Sequence, residues 1–166
     1  MDIKVIHHKD IDKNSLLEIC KIKSVFGDYT IESQVKWIKE NINDNDIHFL
    51  LYNSEKLVGY LNVVIVDVKV DNETEKVYGV GNVCVNNKGK GVGKELMQEL
   101  NNFIVEKGKM GLLFCKENLI NFYTKCNWET INLDSIKTVN TNPKVVTMVF
   151  NKQSIISKLE YSGKLF

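Results

Sequence analysis

The 166-residue sequence predicts a mixed α/β (α+β) fold, a mostly antiparallel central sheet flanked by helices. Three observations carry that expectation. Apolar residues recur at helical spacing in two segments before residue 40 and in a third after residue 94. Between them lie three strand-like runs, Ile47–Tyr52, Leu57–Val70 and Val77–Val85. The short turns that join them, Asn53-Ser54-Glu55 and Asp71-Asn72-Glu73, mark an antiparallel meander. A further run, Met110–Cys115, is continuously apolar and reads as a strand covered on both faces.

Taken in order, residues 2–8 alternate as a first strand. Asp12 or Asn14 then caps a helix whose apolar positions are Leu16, Leu17, Ile19, Cys20 and Ile22. Phe26-Gly27-Asp28-Tyr29 breaks that pattern. Thr30 caps a second helix carrying Ile31, Val35, Trp37 and Ile38, with Glu32 in its first turn. After the meander, Asn86–Lys94 is rich in lysine and glycine and runs into an amphipathic helix with Leu96, Met97, Leu100, Phe103 and Ile104. Strand Met110–Cys115 follows, then a short helix over Glu117–Cys126, then strands over Trp128–Asn132 and Val145–Asn151. Ile155–Phe166 carries no assignable pattern.

The composition bounds the function. Hydrophobic residues make up 43% and charged residues 26%, with one proline and ten glycines, as in an ordinary globular protein. One domain over residues 1–166 is expected, long enough to bury a core without disulfides or structural metals. Lys and Arg number 22 against 21 Asp and Glu, and a net charge of +1 does not suit a nucleic-acid binder. No apolar run approaches a membrane span of ~20 residues, and the charged N-terminus does not resemble a secretory signal. A cytoplasmic protein with reduced thiols is the expectation. Cys20, Cys84, Cys115 and Cys126 form no C-x-x-C pair and show no zinc-ligand spacing, so no metal site is expected.

Residues 83–96 carry the strongest local signal. An apolar strand ends at Val83-Cys84-Val85, Gly89, Gly91 and Gly93 alternate, and a helix starts. Glycines let backbone N–H groups converge and let a ligand approach closely. The helix N-terminus adds further donors and a positive dipole end. Lys88, Lys90 and Lys94 then place cations where a helix start favours acids, a local conflict that an anion such as a pyrophosphate resolves. A solvated turn is the alternative. Two phosphate loops are excluded. A Walker A loop needs glycine at 88 and Ser or Thr at 95, and strict alternation of the glycines breaks G-x-G-x-x-G.

Read as Lys88-x-x-Gly91-x-Gly93, the segment resembles the Q/R-x-x-G-x-G/A signature of the GCN5-related N-acetyltransferase (GNAT) superfamily. The downstream Asn118-Leu-Ile-Asn-Phe122-Tyr123-Thr-Lys-Cys-Asn-Trp128 resembles the superfamily's N-x-x-x-x-F-Y-x-x-x-G-F/W segment, and the element order is similar throughout. Small bacterial members such as the aminoglycoside 2′-N-acetyltransferases look nearest. Lys88 departs from the usual Arg or Gln, and Asn127 replaces a glycine that asparagine can imitate in the left-handed conformation.

The resemblance implies a sheet splayed between strands four and five and acetyl-CoA as co-substrate. Its pantetheine arm would pair with Val83, Cys84 and Val85. Its pyrophosphate would rest on the N–H groups of Lys88, Gly89, Lys90, Gly91, Val92, Gly93 and Lys94. Tyr123 is implied as the general acid that protonates the leaving thiolate, against a core aromatic beside Phe122. Asn118 is implied as a bond to the CoA arm, against a helix cap. The family's acidic base position falls on Gly81, leaving Glu73, Glu75, Tyr78, His48 or a water chain as substitutes. His48 is expected half-buried on its strand, and His7 and His8 receive no role. The implied reaction moves an acetyl group to a primary amine of a small molecule. A non-catalytic acyl-CoA-binding regulatory module and an acetyltransferase for a protein or peptide amine are the alternatives. A thiol nucleophile at Cys84 or Cys115 is disfavoured because no histidine is placed to activate it. A monomer or homodimer is expected, with acceptor choice resting on Phe26–Thr30 and residues 132–144.

Overall fold

The computed structural model describes residues 1–24, 27, 29–86, 89–131, 136–138 and 145–163. Within them lie nine strands and four α-helices: β1 (Asp2–His7), α1 (Lys13–Ser24), α2 (Ile31–Asn41), β2 (Ile47–Asn53), β3 (Lys56–Val70), β4 (Glu73–Val85), α3 (Val92–Glu106), β5 (Gly111–Lys116), α4 (Ile120–Thr124), β6 (Glu129–Thr130), β7 (Ile136–Thr138), β8 (Val145–Phe150) and β9 (Leu159–Tyr161). Single 3-10 turns cover His8–Asp10 and Glu117–Leu119. The strands hydrogen-bond in the order β1-β2-β3-β4-β5-β8-β6. The mixed, mostly antiparallel sheet is therefore as expected, with β4 and β5 one of its parallel pairs.

Two compact units divide the chain. The first comprises Met1–Val64 and Asn82–Leu100. In it β1 pairs antiparallel with β2, and β2 with the first part of β3. The helix starts are set by local chemistry. Asp12 accepts from the Ser15 N–H (2.9 Å) and from its hydroxyl (2.7 Å), so Asp12 is the cap of α1. The Thr30 hydroxyl accepts from the Ser33 N–H, as its sequence position predicts. Strand alternation gives the sheet two faces. Register pairs Phe49–Leu61 and Leu51–Gly59 share one face, onto which Val92 and Leu96 of α3 close. His48–Asn62 and Leu50–Tyr60 share the other.

The second unit comprises Ile65–Gly81 and Asn101–Phe166. Here Tyr78–Val80 of β4 pair with Gly111–Leu113 of β5, and β5 continues antiparallel against β8. Its core gathers Val68, Val70, Val77, Met110, Leu112, Val149, Leu159 and Tyr161. The sequence reading misplaced one strand start in this unit and missed two strands. Strand β4 starts at Glu73 instead of Val77, because Glu73–Lys76 is exposed and carries no burial pattern. Strand β7 interrupts the expected 132–144 loop and pairs parallel with β9, which lies in the unassigned C-terminal stretch. Both are three residues long, too short for periodicity to announce.

Buried Trp128 fixes the segment after α4. Its Nε1–H donates to Asn101 Oδ1 (3.0 Å), and the Asn101 amide donates to the Cys126 carbonyl (2.8 Å). The indole also presses on Gly111. A Cβ there would stand 2.7 Å from Trp128 Cη2 and 2.9 Å from Ile104 Cδ1. Gly111→Ala is expected to cost about 1–3 kcal/mol of unfolding free energy through overpacking. Urea denaturation checks this, and an unchanged midpoint would show that the indole has room to shift.

Candidate functional site

In the first unit, β4 ends at Val85 and α3 begins at Val92. Lys88, with Asn87, lies outside the described residues. Gly89 and Gly91 both adopt φ +81°, the left-handed region that a Cβ disfavours, and space is open where each Cβ would stand. The Gly91 carbonyl accepts from the Glu95 N–H (3.0 Å), which makes Gly91 the cap residue of α3. With no side chain it cannot accept from the N–H groups behind it, as a serine or aspartate would. Val92 is buried and anchors the helix start, Gly93 is half-buried, and Lys90 and Lys94 are exposed. The two left-handed glycines leave the turn open, with Lys90 and Lys94 on its surface.

The strand leading into this turn is irregular. Asn82 holds φ +52°, and its Nδ2–H donates to Asn62 Oδ1 (2.7 Å). Asn62 is fully buried, and its own Nδ2 has no partner. Val83 and Val85 are half-buried, and Cys84 is buried. Burial pushes the Cys84 thiol up to about 11, with Lys23 opposing. A thiol so held is protonated at neutral pH and unsuited to nucleophilic attack.

His48 departs from expectation. It is fully buried instead of half-buried, and it bonds on both sides. Its Nδ1 lies 2.9 Å from the Tyr60 hydroxyl and its Nε2 lies 2.9 Å from Nδ1 of His8, a residue the sequence left without a role. Burial first, then the charges of His8 and Lys23, lower His48 to about 4. Lys23 is itself lowered by burial, and its ammonium sits 4.4 Å above the Trp37 ring. Pairing His8 with His48 requires β1 and β2 to be neighbours across two intervening helices, which no local pattern announces.

In the second unit, Tyr123 lies in α4 and is buried, while neighbouring Phe122 is half-buried and meets it edge-on at 5.0 Å. The helix closes in a Schellman turn. Asn127 takes φ +67°, the Trp128 N–H reaches back to the Tyr123 carbonyl (3.1 Å), and the Asn127 N–H reaches the Thr124 carbonyl (3.0 Å). Asparagine thus serves where the motif has glycine, and Trp128 pins Tyr123 through the backbone. Asn118 is exposed within the 3-10 turn Glu117–Leu119 and is not a cap, since Leu119 precedes α4. Of the base candidates here, Glu73 and Glu75 are exposed, and Tyr78 is half-buried against Phe103 and raised by burial. Among the described residues no cluster of His, Cys, Asp or Glu could hold a metal ion, and no helix is long and apolar enough to cross a membrane.

Residues 12–131 match the family model of the acetyltransferase (GNAT) domain. The chain belongs to the GNAT family. It is an N-acyltransferase, and solved structures share its fold. Escherichia coli ElaA superposes with a TM-score of 0.65 at 16% identity, covering 90% of this chain and 99% of that one. An acyl-CoA N-acyltransferase from Pseudomonas aeruginosa gives 0.66 at 14% identity, covering 90% and 99%. An aminoglycoside 6′-N-acetyltransferase complexed with coenzyme A gives 0.69 at 11% identity, covering 90% and 96%. No curated protein matches the sequence. The 2′ aminoglycoside subtype suggested by the wording of residues 112–128 gains no support, since that relative is a 6′ enzyme.

The buried imidazole of this GNAT chain makes its stability depend on pH. With His48 at about 4 in the fold and near 6.5 in the unfolded chain, the unfolded state binds the extra proton between those values. Stability therefore holds above pH 6.5 and falls as the pH drops toward 4, by up to roughly 3 kcal/mol. Urea titrations at pH 7, 6 and 5 test this, with His48→Gln flattening the slope. Parallel slopes for the two proteins would place the titration elsewhere.

Proposed function

We propose that this chain, as a single catalytic domain, transfers the acetyl group of acetyl-CoA directly to a primary amine of a small molecule. The observation that carries the proposal is the turn at Gly89–Lys94. Two left-handed glycines, open space at both missing Cβ positions and an uncapped start of α3 fit a bound pyrophosphate better than an ordinary turn. Lys88, Lys90 and Lys94 supply the countercharge. The coenzyme A complex of the aminoglycoside 6′-N-acetyltransferase supports the choice of ligand.

Acetyl-CoA supplies an activated thioester, and the residues of this chain orient it and manage protons. Backbone N–H groups of Val83–Val85 bind the pantetheine arm as a partial strand. A donor on this strand steadies negative charge on the thioester oxygen as it develops. Tyr123 gives its proton to the departing sulfur, with its backbone held by the Schellman turn at Asn127 and Trp128. Asn118, exposed on its turn, bonds the CoA arm. The acceptor must be neutral at attack, and neither Gly81 nor the exposed Glu73 and Glu75 can take its proton from inside a site.

Acetyl-CoA binding is expected to raise the melting temperature, with about 2.7 kcal/mol gained at a hundredfold excess over Kd. ATP and NAD serve as controls, and an equal shift with ATP would sink the reading. A panel of primary amines is then screened for acetyl-CoA-dependent thiol release. On the best amine, Tyr123→Phe should lower kcat by ~10²-fold or more with acetyl-CoA affinity unchanged. It should also remove the alkaline limb of the pH–rate profile, because the acid must be protonated to act. Wild-type kcat in this variant would return Tyr123 to the role of a core aromatic.

A further inference from the structure

A line of three hydrogen-bonding side chains crosses the core of the first unit. It begins at half-buried His8, passes through fully buried His48, and ends at Tyr60, which is 1% exposed. Both links measure 2.9 Å. Buried polar groups carry a cost unless they are satisfied, so three in a row within an apolar core call for a reason. Their hydrogens can be assigned by elimination. His48 is the only hydrogen-bond partner of the Tyr60 hydroxyl among the described residues, so the phenol donates to His48 Nδ1. His48 then carries its hydrogen on Nε2 and donates to His8 Nδ1, which leaves the hydrogen of half-buried His8 on its own Nε2. Every donor points from Tyr60 toward His8.

The inner end stands against the strand assigned to the thioester arm. The Asn86 N–H donates to the Val58 carbonyl (2.9 Å), an antiparallel link that sets Tyr60 opposite Cys84. Cys84 is the middle residue of Val83–Val85. We propose that Tyr60, His48 and His8 are the proton exit of the transferase, taking the proton of the acceptor ammonium and releasing it to solvent. The proposal rests on the acetyltransferase reading above and fills the base position that Gly81 leaves vacant.

The step balances without an added reagent. The ammonium N–H breaks as an O–H forms on Tyr60. The original Tyr60 proton moves to His48 Nδ1, the His48 Nε2 proton moves to His8 Nδ1, and the His8 Nε2 proton enters water. The amine is left with the lone pair it needs for attack. The titratable groups acting on His48 are His8 and Lys23, and those acting on Tyr60 are Cys84 and Cys20. Both groups beside His48 are basic, and with burial they hold its proton affinity low. The relay rests on the two 2.9 Å links on either side of His48. In this proposal Tyr60 receives the proton directly, His48 relays it, and His8 acts through them.

The test compares wild type, Tyr60→Phe and His8→Ala from pH 6 to pH 10, on the best primary amine of the thiol-release screen. Tyr60→Phe should lower kcat by ~10²-fold near pH 7 with the acetyl-CoA KM unchanged. The ratio to wild type should close to within a few-fold at pH 10, where the amine is neutral without help. His8→Ala changes only the half-buried end, and its loss of about tenfold should be restored by added imidazole. A deficit of equal size at every pH, or wild-type kcat in both variants, would overturn the line while leaving the acetyltransferase reading intact. If Tyr60→Phe does not fold, His8→Ala decides alone, and failure of imidazole to restore it counts against the line. Wild-type protein that releases no thiol with any amine would overturn both.

Discussion

Strand β4 cannot run as one regular strand, and much of the chemistry assigned to this chain depends on that. Its first half pairs with β3 and, over Tyr78–Val80, with β5. At Asn82 the backbone turns through φ +52°, a conformation that asparagine tolerates far better than a branched residue does. The two-residue turn at Asp71-Asn72 sets one β3–β4 register, and the Asn86–Val58 link sets another, shifted by one residue. The irregularity at Asn82 absorbs the difference. It is this shift that brings Cys84 opposite Tyr60. Asn62 holds the bend by accepting from Asn82, at the cost of leaving its own buried Nδ2 without a partner.

Buried polar groups elsewhere follow the same logic, each with a positional task. Asn101 spends its whole amide on Trp128 and Cys126, which fixes the turn after α4 and so the backbone of Tyr123. Gln34 donates to the Cys20 carbonyl and to the Ser24 hydroxyl, tying α2 to the end of α1. Replacing such residues with apolar ones of similar shape can leave stability almost unchanged, so their value lies in fixing one arrangement among several. The His8–His48–Tyr60 line differs because its members titrate, which gives it a use beyond position.

Much of this was legible in the sequence because local chemistry dictates it. Thr30 and Asp12 announce helix starts and Asp71-Asn72 a tight turn, while the alternating glycines mark a turn at which two of them take a left-handed backbone. Asn127 was legible as a glycine substitute for the same reason. What escaped depends on distant pairing. Glu73–Lys76 is polar on both faces and is a strand only because β3 lies beside it. Strands β7 and β9 support each other through a parallel pairing of three residues. His48 reads as an ordinary strand position until β1 delivers His8, forty residues away in sequence, to its Nε2.

The proposed reaction depends most on whether the backbone of residues 88–94 receives the pyrophosphate of acetyl-CoA. Two-dimensional amide NMR of the ¹⁵N-labelled chain, titrated with coenzyme A, measures this directly. The largest shifts should fall on the amides of Gly89, Gly91, Val92 and Gly93, saturating together with those of Val83–Val85. Saturable binding that moves amides elsewhere while these stay silent would contradict it.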